Sequence, residues 1–419
     1  KLDSVRTRMR ELGADTHLIT TLDDIAWLFN VRGSDVPYNP VLISYACVTE
    51  EEAHLFLDAG KLGTEDRHLL SEDGVSLHSY DAITGFLNTL SADRKVLIDP
   101  ERVSFALYQA FPEHVRVIED RAPSTDLKAV KNGTELDGMR RAMIKDGVAL
   151  VRFLYWLGQQ AGGEQTEVTA AQQLAGFRGE QAEFRGESFP AIVGFRDHGA
   201  IVHYEATPES AYTLEGDGLL LVDSGGHYAH GTTDITRVIP LGEPDPEAIR
   251  DFTLVLKAHV ALARAVFPQG TDGHQLDTIP RTQLWGHGLN YGHGTGHGVG
   301  FYLNVHEGPQ RISAAPSSVA LEPGMVLSNE PGLYRAGRHG IRIENLVAVR
   351  EHTENAFGRF YGFETLSLCP IDHRLIDASM LSDDERSWLN EYHERVYKSL
   401  APHLDAEHRS WLEERTQPL

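Results

Sequence analysis

The stretch Gly292-His293-Gly294-Thr295-Gly296-His297-Gly298-Val299-Gly300 places two imidazoles four residues apart among five glycines. Glycine at this density lets the backbone approach a ligand closely and permits positive φ. His306 follows nine residues after His297. The stretch contains neither Gly-x-Gly-x-x-Gly nor His-Glu-x-x-His, so a dinucleotide fingerprint and a zincin helix are excluded. One isolated histidine is usually an ordinary hydrogen-bonded residue, but three in a glycine-rich segment favour a metal site.

A pair of aspartates precedes this stretch in the chain. Leu219 to Asp223 predicts a buried strand that ends in an acid, and Thr232 to Thr236 predicts a second strand that carries Asp234. The spacing of eleven residues fits a hairpin with one aspartate on each arm. Asp223 would share a face with the apolar Leu219 and Leu221, where an ionised carboxylate is costly unless a cation neutralises it. A single aspartate here would favour a simple turn cap, whereas the pair favours a cation site.

A pair of glutamates follows the histidines. Gly324 to Gly332 predicts a strand that ends at a turn near Glu330, and Gly340 to Leu346 predicts the returning strand with Glu344. The spacing of fourteen residues suits a hairpin with a longer loop. Arg342 and Glu344 are two residues apart and share one face, so a surface ion pair of little energetic weight is the simplest alternative. The apolar residues around them favour a strand buried on both sides instead.

The combined set of side chains indicates the chemistry. Four carboxylates with one or two imidazoles, and no thiolates, suit Mn²⁺, Co²⁺, Zn²⁺ or Fe²⁺. This is more than a single catalytic zinc with three protein ligands requires. The set fits two metals ~3.5–4 Å apart with one activated water between them. We therefore expect hydrolysis, in which a bridging hydroxide attacks a carbonyl and a nearby acid protonates the leaving amine.

The overall composition limits the class of protein. The 419 residues include 38 Lys+Arg and 61 Asp+Glu, for a net charge of −23. This balance disfavours nucleic acid and anionic membranes as partners, since both need clustered cations. No apolar run approaches the ~18 residues of a membrane helix. Two cysteines cannot form a disulfide framework. We expect a cytoplasmic protein with no nucleic-acid or membrane partner.

The chain divides into three predicted regions of an α+β protein. Residues 1–127 alternate helices with strands, among them a helix over 2–12, a helix led by Asp23-Asp24, strands over 41–48 and 54–57, and a strand from Lys95 that stops at Pro100, before a linker-like stretch over 122–125. Residues 128–375 open with a long helix over 134–159 and a second helix capped by Thr166. Short strands then dominate 189–349, interrupted by one helix over 246–267. Residues 376–419 form a helical extension.

The motifs resemble those of the pita-bread metallopeptidases, a family that includes prolidase and methionine aminopeptidase. The similarity rests on Leu221-Val222-Asp223-Ser224-Gly225, Thr233-Asp234-Ile235-Thr236-Arg237, His293 to Gly300, Asn304-Val305-His306-Glu307-Gly308-Pro309, Ser328-Asn329-Glu330-Pro331-Gly332 and Ile341-Arg342-Ile343-Glu344-Asn345. The segments over 25–36 and 411–419 are similar to the larger aminopeptidase P subgroup. The resemblance implies a creatinase N-terminal-like α/β domain, a pita-bread catalytic domain and a helical tail. That subgroup has three domains, and Lys1 aligns with the start of the middle one, so we expect either a removed first domain or a shorter natural form.

The resemblance also implies roles for nine residues. Asp223 would bind one metal, and His297 with Glu330 the other. Asp234 and Glu344 would bridge both metals, and Glu330 would take the proton of the attacking water. The remaining implied residues contact the substrate or support the ligands: His203 and His306 at the substrate and its tetrahedral intermediate, His293 in the pocket wall, and Arg342 beside the bridging Glu344.

The implied activity is removal of an N-terminal residue that precedes proline, commonly with manganese, while Zn²⁺ or Co²⁺ are alternatives. The partners would be peptides with proline at the second position, and the implied assembly is a homodimer. Three alternatives remain open. Prolidase shares the ligands but cleaves only Xaa-Pro dipeptides, and creatinase-type hydrolysis uses the fold without metals. A non-catalytic pita-bread module that binds protein or nucleic acid is expected to lose metal ligands.

Overall fold

The computed structural model describes residues 1–160 and 165–419, and the chain divides into two units, Lys1–Ala129 and Val130–Leu419. The first unit is built on a mixed sheet of six strands in the order β4-β3-β2-β1-β5-β6. Strand β2 pairs antiparallel with β1 and β3, and the other pairs are parallel. Its elements are α1 (Leu2–Glu11), β1 (Thr16–Ile19), α2 (Leu22–Leu28), β2 (Ser44–Thr49), β3 (Ala53–Leu57), α3 (Thr64–Glu72), β4 (Val75–His78), α4 (Ala82–Asn88), β5 (Lys95–Ile98), α5 (Phe105–Tyr108), β6 (Arg116–Glu119) and α6 (Pro123–Ala129).

The predicted linker over 122–125 is wrong, because the chain enters helix α6 at Pro123. Asp24, which is 1% exposed, accepts hydrogen bonds from Ser124 Oγ at 3.0 Å and Thr125 Oγ1 at 2.6 Å. Lys128 Nζ lies 2.9 Å from Asp23 Oδ2. These buried polar contacts between α2 and α6 make the segment part of the first unit. Helix α2 begins at Leu22, so both aspartates lie inside its first turn rather than ahead of it. Strand β2 begins at Ser44, three residues later than predicted.

In its described residues, 130–160 and 165–419, the second unit combines six α-helices with fourteen strands. Its helices are α7 (Gly133–Gly158), α8 (Glu167–Gly179), α9 (Pro246–Ala263), α10 (Gly273–Trp285), α11 (Asp383–Leu400) and α12 (Ala406–Arg415). Its strands are β7 (Phe184–Glu187), β8 (Ile192–Phe195), β9 (Gly218–Ser224), β10 (Gly226–Tyr228), β11 (Gly231–Thr232), β12 (Ile235–Leu241), β13 (Phe267–Pro268), β14 (Gly296–Gly298), β15 (Glu307–Ile312), β16 (Val326–Asn329), β17 (Gly332–Arg335), β18 (His339–Arg342), β19 (Asn345–Asn355) and β20 (Gly358–Thr365).

The helices of this unit follow local sequence signals. In α7 the Asn132 side chain accepts from Glu135 N, and the Glu135 carboxylate accepts from Asn132 N, which forms a capping box. Thr166 caps α8 as predicted, accepting from Thr169 N. The apolar face predicted for α7 packs into the core, with Met139, Met143, Leu150 and Leu157 buried. Within the described ranges, even this 26-residue helix lacks a window apolar enough for a bilayer span.

Antiparallel ladders bring the acidic and histidine segments together. Strand β9 lies between β8 and β12, and the register pairs Asp223 with Thr236. A second sheet has the order β13-β20-β19-β16-β14-β15, in which Gly298 pairs with Leu327 and Asn329 with Asn345. The Glu344 N–H donates to the Thr236 carbonyl at 3.2 Å and so joins the two sheets.

Several elements of this unit differ from the predictions. Helix α9 ends at Ala263, and a second helix, α10, occupies the stretch expected to contain only strands. Pro280 lies inside α10, and a proline in that position normally argues against a helix. Strand β12 begins at Ile235, after the short β10–β11 ribbon, so Asp234 lies just outside the ladder. Residues 340–342 belong to a separate hairpin, β17–β18, inserted between β16 and β19.

Candidate metal centre

All nine residues singled out from the sequence line one cavity of about 240 Å³ in the second unit. Asp223 comes from β9, and Asp234 stands immediately before β12. His297 is the central residue of β14, while Glu330 follows β16 and Glu344 precedes β19. The ends of neighbouring strands therefore deliver the five predicted ligands to one place. The rest of the set on the cavity wall is His203, His293, His306 and Arg342.

Three of these side chains already have the geometry of a metal site. Asp234, His297 and Glu344 each present one ligand atom, and these atoms lie within 4.8 Å of one another. His297 Nε2 is 3.3 Å from Asp234 Oδ2 and 3.5 Å from Glu330 Oε1. The Nδ1–H of His297 donates to the Gly298 carbonyl at 2.9 Å, which directs Nε2 toward the carboxylates. Asp223 completes the acidic wall from the opposite strand.

The electrostatics of the cluster favour cations. Burial raises the pKa of Glu330 to about 7 and that of Glu344 well above its ordinary value, and the neighbouring carboxylates add to both shifts. Burial and the charge of Asp223 also raise the pKa of Asp234. Burial alone would lower the pKa of His297, but its hydrogen bond to Asp234 and the charge of Glu330 raise it to about 9. Asp223 Oδ1 and Asp234 Oδ1 are buried without a hydrogen-bond partner in the protein. Four oxygen-donor acids and one imidazole with such orphaned oxygens fit divalent metals.

Arg342 and Tyr334 are hydrogen-bonded to each other beside the carboxylates of Asp223 and Glu344. Arg342 Nη2 donates to Asp223 Oδ2 at 2.5 Å and Nε donates to Thr236 Oγ1 at 3.1 Å. Thr236 Oγ1 in turn donates to Glu344 Oε2 at 2.7 Å. Arg342 therefore pairs directly with Asp223 and is linked to Glu344, which the resemblance implied it supports, through the Thr236 hydroxyl. Tyr334, which accepts from Arg342 Nη1 at 2.7 Å, carried no signal in the sequence because only the β17–β18 hairpin brings it to the site.

The three other imidazoles have different surroundings. His306 is exposed, and its ring centroid lies 4.3 Å from that of His297 in an edge-on contact. Partial desolvation of the ring at the cavity wall and the charge of His297 lower the pKa of His306 to about 4, so it is neutral at pH 7. The Nδ1–H of His293 donates to the Gly294 carbonyl at 2.8 Å, so its Nε2 accepts from the Tyr334 hydroxyl at 2.8 Å. His203 is exposed on the cavity wall.

The cavity also has an apolar side that sequence reasoning missed. Phe189, Ile192 and Val202 line it, and Ile192 pairs with Asp223 across β8 and β9. Apolar residues beside a predicted strand carry no chemical signature, so only the fold could place them here. A larger cavity of about 630 Å³, lined by Leu154, Ile239 and Trp411 among others, contains none of the nine residues. The smaller cavity is the functional candidate because it holds the clustered metal-binding chemistry.

Comparison with known proteins places the chain in a family. Residues 137–351 match the model of metallopeptidase family M24. The chain belongs to this family. Residues 1–135 match the creatinase/prolidase N-terminal domain, and residues 359–419 match the C-terminal region of peptidase M24. The expected architecture is thereby confirmed: a creatinase-type N-terminal domain, a pita-bread M24 domain and a helical C-terminal region.

Members of family M24 with known names are similar over the whole chain. A probable Xaa-Pro aminopeptidase P from Laccaria bicolor is 44% identical over 434 residues, covering 100% of this chain and 67% of the relative. The corresponding protein from Neurospora crassa is 42% identical, with 100% and 64% covered. The chain thus spans about two thirds of the length of these relatives.

Solved structures agree with this family assignment. The X-prolyl aminopeptidase from Caenorhabditis elegans, a cytosolic enzyme with a di-nuclear active site, superposes with a TM-score of 0.95 at 37% identity, covering 100% of this chain and 70% of that one. An X-Pro aminopeptidase from Thermotoga maritima gives a TM-score of 0.71 at 26% identity, with 88% and 98% covered. Prolidases under 25% identical, such as that from Pyrococcus horikoshii with a TM-score of 0.70, share the fold.

Proposed function

We propose that this M24 metallopeptidase removes the N-terminal residue from peptides whose second residue is proline, using two divalent metals. The observation that carries the proposal is the convergence of four carboxylates and four imidazoles on one cavity, with Asp234, His297 and Glu344 already at metal-binding distance. The 44% identical Laccaria bicolor relative, named as a probable Xaa-Pro aminopeptidase P, supports the same substrate class.

Five residues would hold the metals: Asp223, Asp234, His297, Glu330 and Glu344. Manganese suits them, because four of the five donors are carboxylates and hard ions prefer oxygen. When bound, the metals would supply an activated water and polarise the scissile carbonyl. His297, whose pKa is raised to about 9 in the metal-free protein, must release its proton for this, and the raised pKa of Glu344 opposes metal binding in the same way, since metal ligands bind in their deprotonated forms.

The protein's own residues would carry the proton and orient the peptide. Glu330, whose Oε1 lies 3.5 Å from His297 Nε2, would take a proton from the attacking water and deliver it to the prolyl nitrogen that leaves. His306 is neutral at pH 7, so its N–H can donate to the scissile carbonyl oxygen. His203 would contact the same carbonyl from the other wall. His293, whose two ring nitrogens are held by Gly294 and Tyr334, would shape the pocket without donating to the substrate.

The proline requirement follows from the substrate's backbone. An Xaa-Pro bond has no N–H, and the ring fixes φ of the second residue. A peptidase that grips an extended backbone loses one hydrogen bond at this position. The cavity would avoid that loss because it offers imidazoles to the carbonyl oxygen and an apolar wall of Phe189, Ile192 and Val202 to the ring.

We further propose a cytosolic location, by similarity to the C. elegans enzyme, and a homodimeric assembly, which the sequence resemblance implied. Both belong to the proposal and are separable from the chemistry. Fractionation of cells and light scattering of the purified chain test them individually.

The test is a metal assay of the purified protein followed by peptide hydrolysis with added Mn²⁺. An Xaa-Pro-Xaa tripeptide should be cleaved after its first residue, while the matching Xaa-Ala-Xaa tripeptide should not. Cleavage of Xaa-Pro dipeptides alone would reassign the protein as a prolidase. Absence of both metal binding and hydrolysis would leave only a binding module and overturn the proposal.

A further inference from the structure

The segment that carries His293 and leads into His297 of β14 has little regular structure of its own. Between the end of α10 at Trp285 and the start of β14 at Gly296, the chain forms turns and bends. Gly292 and Gly294 lie within it, and glycines lose the most conformational freedom on folding. Such a segment needs external contacts to hold an imidazole at a fixed distance from a carboxylate.

Arg281 of α10 supplies those contacts to the segment's backbone. Its Nη1 donates to the Tyr291 carbonyl at 2.8 Å, and its Nη2 donates to the His293 carbonyl at 2.7 Å. The guanidinium also lies 4.1 Å from the centroid of the Tyr291 ring. Arg281 is 5% exposed, so water competes little for these bonds. One side chain therefore fixes two carbonyls on either side of Gly292.

Asp277, one helical turn earlier, holds both Arg281 and Thr295. Its Oδ2 accepts from Arg281 Nε at 2.6 Å, and its Oδ1 accepts from Thr295 Oγ1 at 2.6 Å. Since the Thr295 hydroxyl donates to the carboxylate, it accepts from the Tyr291 hydroxyl at 2.6 Å. Asp277, Tyr291 and Thr295 are at most 3% exposed. These three residues and Arg281 are called the clamp below.

The clamp connects directly to the ligand-bearing strands. The Thr295 carbonyl accepts from Glu330 N at 2.8 Å. Two residues further on, His297 N donates to Ser328 Oγ at 3.0 Å, and that hydroxyl donates to Glu330 Oε1 at 3.0 Å. A shift of Thr295 would therefore move both His297 and Glu330. None of the clamp side chains lines the cavity itself.

We propose that Asp277 and Arg281 are positioning residues, which order residues 291–297 and thereby hold His297 Nε2 at ligand distance from Asp234 and Glu344. The consequence for metal binding rests on the proposed function, whereas the ordering of the segment does not. The clamp acts through hydrogen bonds to backbone carbonyls and to the Thr295 hydroxyl.

The test compares Thr295→Val with Thr295→Ser. Valine keeps the shape of threonine but removes the hydroxyl, whereas serine keeps the hydroxyl. Thr282→Val is the matched control, because the Thr282 hydroxyl donates to the Ile279 carbonyl on the exposed side of α10, the helix that carries Asp277 and Arg281. Hydrogen exchange of the metal-free proteins and Mn²⁺ affinity by calorimetry are the two readouts. Losing a hydrogen bond to a buried charged group should accelerate exchange of amides 291–298 by roughly tenfold or more.

Thr295→Val should also bind Mn²⁺ at least about tenfold more weakly than the parent protein. Thr295→Ser and Thr282→Val should bind Mn²⁺ within about twofold of the parent. Arg281→Lys, which keeps the charge but lacks the forked donors, should reproduce the Thr295→Val pattern. Unchanged exchange in 291–298, or acceleration spread evenly over the second unit, would overturn the clamp. A parent protein that binds no Mn²⁺ would instead overturn the proposed function, while the exchange data still decide the clamp.

Discussion

Breaking the buried ion pair between Lys131 and Glu307 should destabilise the second unit far more than breaking an exposed pair of the same length. Lys131 Nζ lies 2.5 Å from Glu307 Oε1, and the side chains are 1% and 0% exposed. Glu307 pairs with Gly298 at the start of β15 and directly follows His306. Glu307→Gln leaves the buried ammonium without this carboxylate, which typically costs about 3–5 kcal/mol.

A double-mutant cycle separates this charge effect from lost packing. Lys131→Met in the Glu307→Gln background removes the buried ammonium itself, so the double variant should recover about 2 kcal/mol or more relative to the additive expectation. The control is Glu394→Gln, which breaks the pair with Lys398. That pair is also 2.5 Å long, but its side chains are 68% and 63% exposed. Its loss should cost no more than about 0.5 kcal/mol.

The assay is urea unfolding of the metal-free proteins, followed by tryptophan fluorescence. Four of the five tryptophans lie in the second unit and report on it: Trp156, Trp285, Trp388 and Trp411. The free energy of unfolding is read from the transition of that unit. Glu307→Gln variants as stable as the Glu394→Gln control, or single changes that simply add, would refute the reasoning.

Three further outcomes follow from the site. Asp234→Asn should abolish peptidase activity, because a bridging carboxylate would lose its charge toward both ions; turnover near the parent level would contradict this. His306→Ala should lower kcat by about two to three orders of magnitude with unchanged metal content, measured by metal analysis beside kinetics, and a metal-depleted variant would make His306 a ligand instead. Mn²⁺ affinity should rise by at least about tenfold per pH unit between pH 6 and 8. The raised pKa values of Glu330 (about 7) and His297 (about 9) keep protons on the metal-free site, and metal binding must displace those protons. An affinity measured by calorimetry that does not change with pH would contradict this.

Sequence reasoning located the acids and histidines well, because buried charge on a strand is chemically unusual. Asp223 sits in a strand of apolar neighbours, and Glu330 and Glu344 flank a ladder whose register brings Asn329 opposite Asn345. The alternation of side chains between the two faces of a strand depends only on neighbouring residues, so it can be recognised from the sequence. The helix capped by Thr166 and the long α7 were predictable for the same reason, since capping and amphipathic patterns are local.

Features created by tertiary contacts were not predictable in this way. Tyr334 reaches the site through the β17–β18 hairpin, and Phe189 has no charge to mark it. Helix α10 was not predicted because Pro280 interrupts its helical pattern. The pairing of Asp277 with Arg281 on that helix was therefore not predicted either. The sequence of helix α6 is typical of a linker, and only the hydrogen bonds of Ser124 and Thr125 to the buried Asp24 show that it packs into the first unit. For α6 the deciding partner, Asp24, lies 100 residues away from Ser124 in the sequence.

The central claim is that two divalent cations share the cage formed by Asp223, Asp234, His297, Glu330 and Glu344. Anomalous diffraction from crystals soaked in Mn²⁺ measures this directly. The account predicts two peaks ~3.5–4 Å apart, with Asp234 and Glu344 contacting both. A single peak, or two peaks that share no carboxylate, would contradict it.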